Sequence, residues 1–143
     1  MNFLYLLLAL SITLSTSPLL AMPVGTPDPF FSCTTESNAT LELKKESNQI
    51  TYAFGRPGSP HALELKRSPE DVDVSLGSVS GSELSNSITF TNGAYTYTVI
   101  SKINRIADAQ EPKHGIIVKK DSTYLTYISC IPASVIGSLL DIE

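Results

Sequence analysis

The chain reads as an all-β protein, either a small antiparallel barrel or a two-sheet sandwich of about eight strands. Three observations predict it. Apolar and polar residues alternate with period two, short β-branched and aromatic runs are separated by turn residues, and one pair of cysteines brackets the part that folds.

The first element is an export signal rather than part of the domain. Phe3 to Leu14 are mostly apolar and helix-forming; Pro18 then breaks the run, and Ala21 offers a small residue for cleavage. Ser11, Thr13, Ser15, Thr16, Ser17 and Pro18 interrupt the apolar stretch before it reaches the roughly 20 residues that cross a bilayer. Residues 1–21 are therefore expected to be removed, and the mature protein to be periplasmic or secreted with no membrane insertion. Its n-region, Met1-Asn2, carries no Lys or Arg. Taking 21 from 143 leaves 122 residues: a Pro-rich leader over 22–29 and a single β domain over 30–143.

Within that domain the strands follow from pattern. Thr40 to Lys44 and Ala62 to Lys66 alternate apolar with charged residues, so each has one buried and one wet face. Glu46-Ser47-Asn48 is a polar tip leading into Ile50 to Phe54, where Ile50, Tyr52 and Phe54 share a face. Asn92-Gly93 suits the positive φ of a type I′ turn and joins Ser87–Thr91 to Ala94–Ile103. Tyr95, Tyr97 and Val99 lie on one side of the latter and Thr96, Thr98 and Ile100 on the other, the pattern of a strand in mid-sheet. A second hairpin pairs His114–Lys119 with Thr123–Ile131 around Lys120-Asp121-Ser122, and Phe30–Thr34 opens the domain. The long stretch between Arg67 and Ser87 reads as a loop. After Pro132, Val135, Ile136, Leu139 and Leu140 are spaced for a short closing helix.

Cys33 and Cys130 are the two cysteines, and in an exported chain an even pair reads as a disulfide. It would join the first strand to the last across 96 intervening residues, and the chain-entropy model gives such a closure on the order of 4 to 5 kcal/mol.

Composition narrows function. With 10 Lys and Arg against 14 Asp and Glu, the net charge of −4 leaves no basic excess for a phosphate backbone, which argues against nucleic-acid binding. No metal-ligand spacing surrounds either histidine, and the carboxylates Glu70, Asp71 and Asp73 lack the alternating ligands and central glycine of a calcium loop, so no metal or cofactor is expected. An enzyme would need His61 or His114 beside a serine or carboxylate. Two segments are better suited to recognition. Phe54 to His61 combines two prolines with two glycines and presents Arg56 and His61 on a pre-ordered loop. Leu76 to Glu83 carries Ser80, Gly81 and Ser82 in the stretch read as a long loop.

An exported all-β plan with an aromatic-Cys start at Phe31-Ser32-Cys33, a mid-chain Ser80-Gly81 and a late cysteine resembles the bacterial periplasmic inhibitors of C-type lysozyme. In that family a Ser-Gly-x-x-Tyr loop enters the lysozyme cleft. Leu84 stands here where the tyrosine would be, and Asn92-Gly93-Ala94-Tyr95-Thr96-Tyr97 replaces a Trp-rich strand. The resemblance implies a non-enzymatic binding protein, an inhibitor or immunity protein whose partner is a protein such as a cell-wall hydrolase. The other expectation is an accessory surface protein that docks by strand addition, for which the sign would be an exposed, unpaired strand edge. Asn38-Ala39-Thr40 is a glycosylation sequon for a eukaryotic secretory route.

Overall fold

A computed structural model describes residues 20–21, 25–59, 62–108 and 110–143. The signal segment apart from Leu20 and Ala21, the leader residues 22–24, and His61 lie outside the described residues.

Among the described residues ten strands form two antiparallel five-stranded sheets. The first sheet contains β1 (Phe31–Thr34), β2 (Thr40–Glu46), β3 (Gln49–Gly55), β4 (Leu63–Arg67) and β10 (Ile136–Gly137), in the order β10-β1-β2-β3-β4. The second contains β5 (Asp73–Ser80), β6 (Glu83–Asn92), β7 (Tyr95–Asn104), β8 (Lys113–Lys120) and β9 (Thr123–Ser129), in sequence order. The sheets do not close into a barrel; the fold is a sandwich. β7 occupies the middle of its sheet, as its two-sided pattern requires.

The alternating residues meet between the sheets. Leu41, Leu43, Tyr52 and Leu65 from one layer pack on Ile88, Phe90, Val99 and Ile116 from the other, all buried. Tyr52 stands at the centre, its ring 5.3 Å from Phe90 and 5.6 Å from Tyr97, tilted against both. Burial pushes its hydroxyl pKa far above the usual tyrosine range. The cysteines are joined, with Cα atoms 5.8 Å apart, and the neighbouring Thr35↔Cys130 bridge ties β1 to the end of β9.

Several expectations are corrected. The stretch from Arg67 to Ser87 is not a long loop: a 3-10 turn at Pro69–Asp71 leads into β5, and β6 begins at Glu83. β5 escaped notice because its period-two pattern breaks. Its register slips by one residue between Ser75↔Ser87 and Ser78↔Ser85, and the Asn86 side chain accepts from Gly77 N at 2.7 Å where the ladder is interrupted. The turn after β6 is centred on Gly93-Ala94, with Gly93 at φ 61°, one residue later than Asn92-Gly93. Positive φ at both central residues occurs instead at Asp121 (48°) and Ser122 (65°), between β8 and β9. The closing helix takes the form of 3-10 turns at Pro132–Ser134 and Leu139–Ile142, with β10 between them. Leu139 and Ile142 are buried in the core, and Lys45 Nζ donates to Ile142 O at 2.6 Å.

Candidate functional site

Register decides which connections share an end of the sandwich. In the first sheet Thr34, Thr40 and Gly55 lie side by side, so the β1–β2 turn and the β3–β4 loop project from the same end. In the second, Ser80, Glu83 and Asn104 align, so the β5–β6 tip and the β7–β8 loop project together. The Thr35↔Cys130 bridge joins the sheets at these two ends, because Ser129 pairs with Gly115 at the start of β8. Arg56 and the Ser80-Gly81-Ser82 segment, read as separate candidates, therefore belong to one end of the molecule.

Each part is locally braced. Thr35, almost wholly buried, closes the β1–β2 turn: its N–H donates to Ala39 O at 2.8 Å, and Ala39 N donates to its Oγ1 at 3.2 Å. The exposed Arg56 reaches across to this turn, Nε donating to Ser37 O at 3.3 Å. Ser59 N donates to Arg56 O at 2.9 Å, folding the start of the β3–β4 loop on itself.

The Ser-Gly segment differs in form from the long recognition loop expected. Ser80 ends β5 opposite Glu83, leaving Gly81-Ser82 as a two-residue tip with Gly81 at φ 58°. A glycine at the first central position is what a II′-class hairpin favours. Arg105 holds this tip, Nη2 donating to Gly81 O at 3.0 Å and its backbone N donating to Ser82 O at 2.8 Å. Gln110 Nε2 in turn donates to Arg105 O at 2.7 Å. Next to Arg105, Ile106 is 80% exposed. Sequence reading missed both residues; the available signal was an isoleucine stranded among polar neighbours in Asn104-Arg105-Ile106-Ala107-Asp108.

His114 is not a solvated strand-edge histidine. It points inward from β8 at the end of the core, its ring 5.8 Å from that of Phe31, and its backbone O accepts from Cys130 N at 2.9 Å. Nδ1 is buried with no hydrogen-bond partner among the described residues, and desolvation lowers the histidine pKa. Of the carboxylate run, Glu70 and Asp71 lie in an exposed 3-10 turn and Asp73 starts β5. Among the described residues no three or more His, Cys, Asp and Glu side chains are grouped to hold a metal ion, and no helix is long and apolar enough to cross a membrane.

Comparison with protein families, curated proteins and solved structures found no match to this chain.

Proposed function

We propose that the protein is an exported, non-catalytic binding module that neutralises a partner protein, an inhibitor or immunity protein whose target is an enzyme such as a cell-wall hydrolase. The observation that carries this reading is the gathering of two arginine-braced connections, the Arg56 loop and the Gly81-Ser82 tip, at one end of the sandwich. Braced loops lose little entropy on binding, which leaves more of the contact energy as affinity. Ile106, standing free beside the tip, supplies an apolar anchor of the kind that dominates small interfaces. The Cys33–Cys130 disulfide supports an oxidising compartment, periplasmic or extracellular.

A second reading, docking by strand addition, is favoured by β9. This edge strand of seven residues contains no charge, proline or glycine and leaves Tyr124 60% and Leu125 50% exposed.

One experiment separates the two. Purified protein is tested for inhibition of C-type lysozyme and used to capture partners from a periplasmic extract. It is run beside Ser80→Arg/Arg56→Glu and Leu125→Lys, each shown to melt like the parent. On the leading reading the loop-end double variant weakens inhibition or capture at least tenfold and Leu125→Lys leaves it intact. The reverse pattern supports strand addition, and an unchanged partner set with both variants overturns both surfaces.

A further inference from the structure

The outer face of the first sheet carries an ordering of charge that the loop-end reading does not use. Leu41, Leu43, Tyr52 and Leu65 point into the core, so the residues between them point out. Register aligns these in two rows, Glu42–Ala53–Glu64 and Lys44–Thr51–Lys66. In each row the middle residue, on β3, is small and its flanking residues are long. The result is a trough along β3, with a cavity of about 320 Å³ over the glutamate row and one of about 170 Å³ over the lysine row. Both cavities are lined by Glu42, Ala53 and Glu64; Arg56 also lines the first, and Glu46 with Thr26-Pro27 of the leader walls the lysine end.

The spacing defines the ligand. Strands stand about 4.8 Å apart, so the two glutamate strands are roughly 10 Å apart, enough for one cationic group to sit between their carboxylates. The lysine row does the same for one anionic group. Two residues along a strand separate the rows, about 6.8 Å, which is also the distance between same-side side chains of an extended peptide. Within the trough Lys44 Nζ lies 3.1 Å from Glu42 and Lys66 Nζ 3.5 Å from Glu64. Such exposed pairs contribute little net energy, so a ligand's charges can replace them at small cost. A polyanion meets the glutamate row, a uniformly basic peptide meets the lysine row, and an apolar helix meets both.

We propose that this trough binds an extended peptide segment carrying one basic and one acidic side chain two positions apart. The trough runs into the loop-end surface at its glutamate end, where Arg56, Pro57 and Gly58 also line the 320 Å³ cavity, but its four row charges, Glu42, Lys44, Glu64 and Lys66, lie on the strands.

The test uses the whole protein and four blocked pentapeptides, Thr-Lys-Thr-Glu-Thr, Thr-Lys-Thr-Lys-Thr, Thr-Glu-Thr-Glu-Thr and Thr-Gln-Thr-Gln-Thr, with binding read from backbone amide shifts. The mixed-charge peptide is expected to saturate and to shift the amides of Thr51 and Ala53, at least tenfold more tightly than the other three and more weakly as salt rises. Glu42→Gln/Glu64→Gln should reduce that affinity tenfold or more with an unchanged thermal melt. Equal binding of all four peptides, or no shift at Thr51 and Ala53 at millimolar peptide, overturns the proposal.

Discussion

At the scale of single residues, His114 is the group whose chemistry the fold alters most within reach of ordinary pH. Its Nδ1 is buried beside Phe31 with no partner among the described residues, and desolvation lowers its pKa from the usual histidine value of 6.5. The folded state therefore holds the ring neutral more strongly than the unfolded chain does. Above pH 6.5 both states are neutral and the histidine imposes no penalty. As pH falls through 6.5 toward the lower folded value, the unfolded chain takes up the proton first and stability is lost. Thermal melts between pH 7.5 and 5 should show a decline in the parent that is shallower in His114→Phe, a substitution that keeps a ring against Phe31. Identical pH slopes in the two proteins would sink this assignment. Nothing around His114 in the sequence distinguishes it from a solvated histidine; only its register on β8, two residues before the buried Ile116, turns it inward.

At the scale of elements, the β8–β9 pair shows how closely neighbouring strands are fitted. A Cβ built on Gly115 would lie 2.5 Å from the Tyr127 ring and 2.5 Å from Ile128 O, so the tyrosine from the edge strand covers the glycine. Gly115→Ala should destabilise the protein by about 1–3 kcal/mol, the usual cost of overpacking, and urea denaturation measures it. In a Tyr127→Ala background, which removes the ring but not the Ile128 carbonyl, Gly115→Ala should cost less than it does in the parent. The elements legible in the sequence were those whose burial is one-sided and uninterrupted. β2 and β4 declare themselves by apolar–charged alternation, and β7 by two usable faces. β5 was illegible because Gly77 and the one-residue slip break its alternation, and because its ladder is completed by Asn86 from another strand. The candidate site divides in the same way. Arg56 and Gly81 were marked by local glycine and proline, whereas Arg105 acts through a contact 24 positions away, and the charge rows of the trough exist only once three strands are in register.

At the scale of the whole molecule, two layers with one shared core are closed at one corner by the Cys33–Cys130 bond and the Thr35↔Cys130 bridge, and plugged elsewhere by Leu139 and Ile142. Both cysteines are buried, so Cys33→Ala/Cys130→Ala removes the covalent closure without stranding a hydroxyl. That variant should lose about 2–5 kcal/mol in chemical denaturation. A loss under 1 kcal/mol would mean that strand pairing and the core already confine the ends as well as the bond does. The same bond also sets the route by which tension would pass through the molecule. Cys33 lies near the leader and Cys130 near the tail, so a pull on both ends runs from β1 through the sulfurs to the final residues. β2 to β9 sit on a covalently closed branch that carries none of the force. A pull on the two ends of the chain therefore strains only β1, β10 and the short segments around them, while β2 to β9 keep their register.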